Sequence, residues 1–225
     1  NLDGIVQDVL AFAREGKLKP TKTTSRDVIE QALESCAGVL AANTARVVRS
    51  DDTAFEFEGD TSLLAQAAAN VIRNAAEAVK EAHRDDVKAR VIRIGAERKR
   101  MRRPAGGNGM YVVVWVEDTG KGIPAEARER IFSPFFTTRA QGTGLGLAIV
   151  HRIVDAHGGH VLVSNRKGGG TKFELCLPTP LTSGALVSEG GRGASRQGRL
   201  DQHIEVKRAG RGAGRDLENP EWSEA

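Results

Sequence analysis

The sequence predicts an α+β domain in which amphipathic helices alternate with short apolar strands. Apolar residues recur at helical spacing in four segments: 1–14, 25–40, 62–82 and 145–156. Shorter runs, either apolar throughout or alternating, have the pattern of β-strands: 46–50, 54–58, 87–98, 110–117, 160–164 and 171–177. The 40% hydrophobic content of the 225 residues is sufficient for a core, which excludes a wholly disordered chain.

Caps and helix breakers set the expected boundaries in the first half of the chain. Gly16 follows the first helical pattern, and a polar connector then occupies 17–24. Ser25 is the predicted N-cap of the second helix, since its hydroxyl can accept a backbone N–H of the first turn. Asp60 or Thr61 is the predicted N-cap of the third helix, which is long and rich in alanine.

The second half of the chain contains more loops. A basic loop at 99–109 precedes the apolar run that is typical of a central strand. Pro124 predicts the start of a short helix that runs to about Ile131, whereas 132–143 shows no period and predicts a loop. The last two strand-like runs are expected to pair across 166–170.

Composition excludes several classes of protein. The two cysteines, Cys36 and Cys176, form no CxxC pattern, so a reducing cytoplasm is the expected compartment. No apolar stretch approaches 18 residues and no signal peptide is visible, so we expect no membrane segment in this chain. A net charge of +4 permits an anionic ligand without requiring nucleic acid. From about residue 182 the sequence turns to Gly, Arg, Ser and Glu, which predicts a disordered tail over 181–225.

Two asparagines on the long helix are the first candidate site residues. The i, i+4 spacing of Asn70 and Asn74 places both amides on one helix face, among alanines and other apolar residues. Such amides are either hydrogen-bonding groups in a core or oxygen ligands of a hard cation such as Mg²⁺. Taken alone, the pattern favours the first interpretation.

Two glycine-rich motifs follow later in the chain. Asp118 ends the apolar strand and is followed by Gly120 and Gly122, which let the backbone turn sharply and approach a ligand. The aspartate either caps this turn or accepts a hydrogen bond from an exocyclic amine such as that of adenine. A second glycine cluster at 142–147 leads into a helix, where free N–H groups can bind an anion or where the glycines merely form a hinge. The loop between the motifs contains three phenylalanines, and Arg139 or Lys121 could contact phosphate oxygens.

In this order and spacing, the motifs resemble the ATP-binding catalytic domain of bacterial sensor histidine kinases, within the wider group that includes gyrase, Hsp90 and MutL. The matching segments are Asn70–Asn74 with the N box, Asp118–Gly122 with G1, Phe132–Phe136 with the F box and Gly142–Gly146 with G2. The resemblance covers about residues 1–178 and is greatest to the nitrogen-regulation type. It implies a two-layer α/β sandwich of the Bergerat type, with helices on one face of a mixed sheet.

The resemblance also implies roles for individual residues. Asn74, with Asn70, would hold Mg²⁺ on the triphosphate as the catalytic and metal-binding pair. Asp118 would bind the adenine amine, and Thr171 would support it. The other residues implied to bind ATP are Gly120, Gly122, Ile123, Thr138, Arg139, Gly142, Thr143, Gly144, Leu145 and Gly146.

Kinase activity is favoured over ATP hydrolysis. The water-activating ATPases of this group carry a glutamate one helical turn before the Mg²⁺-binding asparagine, where this chain has Asn70. An amide cannot act as a general base. Phosphoryl transfer depends on positioning and charge neutralisation, which amides and Mg²⁺ can supply. A nucleotide-binding module without transfer activity is the alternative.

The phosphoacceptor histidine of the family is missing from the expected context. None of the five histidines is followed by the acidic residue and later proline of an H-box. Residues 1–16 instead resemble the second helix of a dimerisation domain, followed by a linker at 17–24 and the catalytic domain at 25–180. Since the chain begins with Asn1 inside this helical pattern, we expect a fragment that binds ATP·Mg²⁺ but does not autophosphorylate.

The implied partners are those of two-component signalling. They are a histidine on a dimerisation domain, a response-regulator receiver domain and, in the full-length protein, a second copy of the chain. The basic run Arg98–Arg103 is either a solvated hairpin tip or a binding surface for DNA or for an acidic response regulator, and nucleic acid is the less favoured partner.

Overall fold

Helices and strands alternate along the chain much as the hydrophobic pattern predicts. A computed structural model describes residues 18–50, 54–103, 106–139, 142–179 and 205–206. The helices are α1 (Ser25–Ala42), α2 (Thr61–Ala82) and α3 (Gly146–Ala156), with a short 3₁₀ turn at Val87–Ala89. The strands are β1 (Thr21–Thr24), β2 (Arg46–Arg49), β3 (Glu56–Gly59), β4 (Val91–Arg102), β5 (Asn108–Asp118), β6 (His160–Asn165), β7 (Thr171–Pro178) and β8 (Glu205–Val206).

The main sheet is mixed, with the strand order β2-β4-β5-β7-β6-β8. Its central pairs, β4 with β5, β5 with β7 and β6 with β7, are antiparallel, whereas β2 and β8 join the sheet by parallel pairing. Strands β1 and β3 form a separate antiparallel pair. The expected pairing of the last two long strands is confirmed.

One face of the sheet carries the helices. Alternate residues of the central strands, such as Ile92 and Val114, are fully buried in one cluster with the apolar residues of α1, α2 and α3. Long side chains of α2, including Leu64 and Ile72, have no exposed surface. A small second cluster around Val113 and Cys176 lies among the strands. The predicted sandwich, with helices on one face of a mixed sheet, is confirmed.

Two helix caps position the ends of the long helices. Asp60 is the N-cap of α2, as predicted, and its carboxylate accepts the Leu63 N–H at 3.2 Å. The prediction of Ser25 as the cap of α1 is wrong by one residue, because Thr24 and Asp27 form a reciprocal capping box. Ser25 is instead buried, and its hydroxyl accepts the Phe55 N–H at 3.0 Å.

Four other segments differ from the prediction. The strand predicted to begin at residue 87 begins at Val91, after the 3₁₀ turn Val87–Ala89. Part of the 17–24 connector forms β1, because its four polar residues Thr21–Thr24 pair antiparallel with β3. The β4–β5 hairpin extends the two strands to Arg102 and Asn108, into the predicted loop. Pro124 opens no helix, because its carbonyl accepts the Ala127 N–H in an i→i+3 turn and a segment this short gains little from helical hydrogen bonds.

The terminal predictions lie mostly outside the described residues. This applies to the dimerisation helix at 1–16 and to the tail at 181–225, apart from β8. Of the helices that the structure describes, none is both long and apolar enough to cross a membrane.

Candidate functional site

A cleft of about 1170 Å³ lies between α2, the end of β5 and the loop that precedes α3. Twelve of the fourteen residues expected at the site line it: Asn70, Asn74, Asp118, Gly122, Ile123, Thr138, Arg139, Gly142, Thr143, Gly144, Gly146 and Thr171. Leu145 does not, because its side chain is packed in the core with 1% exposed. Gly120 lies just behind the wall, where it supports Asp118. The fold therefore brings together motifs that are separated by up to about a hundred residues in sequence.

Asp118 is the buried acid of the cleft, with 4% of its surface exposed. One carboxylate oxygen, Oδ1, accepts the Gly120 N–H at 2.7 Å and the Thr171 N–H at 3.2 Å. Burial raises the pKa of this carboxyl above its ordinary value, and the two N–H donors oppose that rise. An acid held in this way offers a hydrogen-bond acceptor at a fixed point in a largely dry wall.

Glycines around Asp118 are required by close packing. A Cβ on Gly170, which has φ +100°, would lie 1.9 Å from the Asp118 carbonyl oxygen. A Cβ on Gly120 would lie 2.8 Å from Asp118 Oδ1 and 2.9 Å from Ala78 Cβ. The β6–β7 turn, residues 166–170, therefore presses directly against the loop that follows β5. We call this loop, residues 118–123, together with the turn, the base end of the cleft.

The two asparagines of α2 have different surroundings. Asn70 is buried and its Nδ2 donates to the Gly146 carbonyl at 3.2 Å, while its Oδ1 accepts from Arg73. Asn74 is half-buried, and its Oδ1 accepts from Arg139 Nη1 at 3.1 Å. The two amides therefore differ in burial and in partners. Asn70 is a core hydrogen-bonding group at the edge of the cleft, and Asn74 points its amide oxygen into it.

Arg139 connects the loop before α3 to α2. Its Nη2 donates to the Asn74 carbonyl at 3.0 Å, and its Nη1 also pairs with the Glu77 carboxylate. Glu77 lies one turn beyond Asn74 on the same face of α2. We call Asn74, Glu77, Arg139 and residues 142–146 the phosphate end of the cleft.

The glycine cluster shapes the rest of the phosphate end. Gly144 has φ +69°, and a Cβ there would lie 2.4 Å from the Phe135 carbonyl carbon. Helix α3 then begins at Gly146 without a side-chain cap. Unbonded N–H groups in a first helical turn attract anions, so this end has the chemistry of a phosphate site.

Sequence reasoning missed part of the site. Arg73 was not singled out, although its i+3 position relative to Asn70 was a usable signal. Asn165 and Arg166 bond to the loop after β5, and no local pattern links residues so distant in sequence. The basic run of β4 lies outside the cleft, where Lys99 donates to Glu174 at 2.9 Å.

Nothing in the described part of the chain forms a cluster of three or more His, Cys, Asp or Glu residues suited to a metal ion. The oxygen donors that the phosphate end offers are the Asn74 amide and the Glu77 carboxylate. Hard oxygen donors in this small number suit Mg²⁺, which keeps several waters and is held mainly by phosphates. The donor set therefore fits a metal that arrives with an anionic ligand.

Comparison with known families decides the class of this cleft. Residues 59–181, more than half of the chain, match the family described as histidine kinase-, DNA gyrase B- and HSP90-like ATPase. The chain belongs to this family. The match spans α2, the loop after β5, the glycine cluster and the β6–β7 turn, so this ATPase-like domain includes the whole cleft.

The individual relatives are sensor kinases. The chain is 39% identical over 133 residues to the sensor histidine kinase ZraS of Escherichia coli O157:H7, a match that covers 59% of this chain and 26% of ZraS. It is 35% identical over 166 residues to the sensory histidine kinase/phosphatase NtrB of Rhodobacter capsulatus, covering 73% and 45%. The crystal structure of full-length ShkA in complex with AMPPNP superposes with a TM-score of 0.60 at 25% identity, covering 80% of this chain and 37% of ShkA.

These similarities confirm the sequence-based resemblance to the ATP-binding catalytic domain of sensor histidine kinases. The match to NtrB fits the predicted nitrogen-regulation type. The matches span less than half the length of ZraS and NtrB.

Proposed function

We propose that the cleft binds ATP with Mg²⁺ and that the domain transfers the γ-phosphoryl group to a histidine of a dimerisation domain. The observation that carries the proposal is a single cleft with a buried carboxylate, Asp118, at one end and the amide–arginine pair of Asn74 and Arg139 at the other. A purine nucleotide needs an acceptor for its amine and cations and amides for its phosphates, and the two ends supply these groups.

At the base end, the Asp118 carboxylate accepts a hydrogen bond from the adenine 6-amino group. The N–H groups of Gly120 and Thr171 already occupy Oδ1 and fix the orientation of the carboxylate. Ile123 and Phe173 contribute apolar surface for the flat faces of the ring.

At the phosphate end, Asn74 and the first turn of α3 contact the triphosphate. The Asn74 amide oxygen would hold Mg²⁺, which would neutralise phosphate charge when bound. Arg139 exchanges its hydrogen bond to Asn74 for bonds to phosphate oxygens, for which a guanidinium is well suited. Thr138 and the N–H groups at 142–146 complete this end.

Transfer to a protein is favoured over hydrolysis because the residue in the water-activating position is Asn70. Its amide is committed to the Gly146 carbonyl and to Arg73, and it has no basic lone pair for a water proton. The domain therefore orients ATP and neutralises its charge, and the nucleophile comes from the acceptor.

The acceptor histidine is supplied from outside the domain. The structure describes four histidines, and all have structural contacts. His83 contacts the Thr119 carbonyl at 2.6 Å, and His157 bonds the Asp60 N–H and the Ile153 carbonyl. The rings of His151 and His160 lie against Phe132 and Tyr111. We infer that the acceptor lies on a dimerisation domain, in a full-length homodimer, and passes the group to a response-regulator aspartate. Since no histidine here has an H-box context, the chain by itself accepts no label.

Nucleotide titration tests the site. With Mg²⁺ present, Asn74→Ala and Asp118→Ala are each expected to weaken ATP binding by at least about tenfold, the equivalent of one charge-assisted hydrogen bond. Asn108→Ala, at the exposed start of β5, is the matched control and should bind as the wild type does. Unchanged affinity in both site variants would contradict the assignment.

Labelling with γ-³²P-ATP tests the reaction. The chain alone is expected to remain unlabelled, and an added dimerisation fragment with its H-box histidine is expected to become labelled. Label on the chain itself would overturn the proposed acceptor. ATP binding without label on the fragment would favour the alternative, a nucleotide-binding module without transfer activity.

A further inference from the structure

Asn165, the last residue of β6, forms two hydrogen bonds with the backbone of Ile123. The Ile123 N–H donates to Asn165 Oδ1 at 3.0 Å, and Asn165 Nδ2 donates to the Ile123 carbonyl at 3.0 Å. The side-chain amide therefore pairs with both polar groups of one residue, as a neighbouring β-strand would. Only a planar group with one acceptor and one donor can do this, which excludes aspartate at neutral pH and all apolar residues.

The pair belongs to a larger contact between the β6–β7 turn and the loop after β5. Arg166 donates to the Asp118 carbonyl at 3.4 Å, and the Thr171 N–H donates to Asp118 Oδ1 at 3.2 Å. These bonds hold the start of the loop at Asp118, whereas Asn165 holds its end at Ile123. Gly122, with φ +83°, lies against the same amide, since a Cβ there would be 3.2 Å from the Asn165 side chain. The loop is thus fixed at both ends to one turn.

We propose that Asn165 is a positioning residue for base selection. By holding Ile123, it keeps the loop in the conformation that presents the Asp118 carboxylate to the amine of a purine. The inference rests on the proposed function, because it assumes that Asp118 meets the base. It adds that an exposed amide outside the lining of the cleft tunes, through the loop, the preference for a 6-amino purine.

The preference of the cleft for ATP over ITP is the measurement that isolates this role. ITP differs from ATP at the base by a 6-oxo group in place of the amine, so the affinity ratio reports on recognition of the amine. Asn165→Ala is expected to weaken ATP binding about three- to thirtyfold, as expected for two lost hydrogen bonds that order a loop. ITP binding should weaken less, so the ratio should fall about three- to tenfold.

Two further variants sharpen the result. Asn165→Asp keeps the size and the acceptor but places an anion opposite the Ile123 carbonyl, so its loss at pH 7.5 should be at least as large as that of Asn165→Ala. Asn108→Ala should change neither the affinities nor the ratio. The thermal midpoint without nucleotide should be nearly equal in the wild type and in Asn165→Ala, because the amide is exposed and its two hydrogen bonds go to one loop residue.

The possible outcomes separate the two proposals. An equal loss of ATP and ITP affinity in Asn165→Ala would make Asn165 merely structural and would overturn the inference. Asp118→Asn must also reduce the ratio. If that variant keeps the wild-type preference, or if the wild type shows none, the placement of the base at Asp118 is wrong and the inference falls with it.

Discussion

At the base end of the cleft, polar groups are paired with neighbouring backbone before any ligand binds, whereas at the phosphate end charged side chains pair with one another across the cavity. Asp118 accepts two N–H groups, and Asn165 holds both polar groups of Ile123. Arg139, in contrast, bonds to Asn74 and Glu77, residues on the opposite wall. A ligand at the base end adds hydrogen bonds to a network that is already formed, whereas a ligand at the phosphate end must replace the bonds of Arg139 to the opposite wall.

The difference teaches that the two ends contribute differently to affinity. A preformed acceptor loses little entropy on binding, so its contacts are converted efficiently into affinity and selectivity. At the other end, phosphates and Mg²⁺ must first separate Arg139 from Glu77, so part of the new interaction energy offsets that loss. We therefore expect changes at the base end to have large effects, whereas release of Arg139 from Glu77 at the phosphate end should have a small one.

The largest effect is expected from Gly170→Ala. The new Cβ would meet the Asp118 carbonyl oxygen at 1.9 Å, and φ +100° is also unfavourable for alanine. The turn must therefore move away from the base end, which removes the Thr171 N–H from Asp118. We expect about a hundredfold weaker ATP binding and a loss of about 3 kcal/mol in the free energy of unfolding. Calorimetric titration and denaturant unfolding measure the two quantities.

Gly168→Ala provides the matched control, since it lies in the same turn with φ +89° but nothing within 4 Å of the new Cβ. It should lose only about 1 kcal/mol through backbone strain and should bind ATP nearly as the wild type does. Equal losses in the two variants would show that strain, rather than contact with Asp118, governs this turn.

The next effect in size concerns Asp118→Asn, for which stability and binding should change in opposite directions. Because burial raises the pKa of Asp118 in the folded state, the ionised carboxyl opposes folding at neutral pH. The stability that the protonated carboxyl contributes is fully present below the unfolded-state pKa of about 3.9. It is lost as the pH rises through the higher folded-state pKa. At pH 7 the asparagine variant without nucleotide should therefore have a higher thermal midpoint than the wild type.

ATP binding by the same variant should weaken about tenfold at pH 7, because a neutral amide is a poorer acceptor than a carboxylate. The wild-type affinity should itself fall as pH decreases through the raised pKa, while that of the variant should stay flat. Both differences should shrink as the pH falls through the raised pKa and Asp118 becomes protonated. A lower midpoint for the variant at pH 7 would contradict the role assigned to burial.

Local signals in the sequence were sufficient for most of the scaffold. The alanine-rich α2 and its Asp60 cap gave both ends of that helix to within one residue, since cap and periodicity act within a few positions. The segment after Pro124 was predicted as a helix because the proline suits a first turn. Its apolar residues Ile131 and Phe132 are instead anchored in the core, and the segment runs as consecutive turns.

The candidate site was predictable where its residues form short motifs. Short local motifs identify Asp118, Asn74 and the glycines as candidates, and the fold brings these residues to one cleft. The pairing of Asn165 with Ile123 was not predictable, because it depends on how β6 and β5 are placed in the sheet, 42 residues apart. The ion pair between Arg139 and Glu77 was not predictable either, because it depends on the path of the loop before α3, whose sequence shows no hydrophobic periodicity.

The smallest effect is expected from Glu77→Gln, and it should be a gain. Glu77 is about half exposed and its ion pair with Arg139 is of the kind worth about 0–1 kcal/mol, so ATP·Mg²⁺ affinity should rise by no more than about fivefold. Arg139→Ala should instead weaken ATP·Mg²⁺ binding, because it removes the guanidinium proposed to bond phosphate oxygens. The double variant separates release of Arg139 from simple removal of a negative charge. If Glu77 acts by holding Arg139, its replacement should bring no gain once Arg139 is alanine. A gain of the same size in both backgrounds would mean that Glu77 only repels the phosphates, and the phosphate end would then be as preformed as the base end.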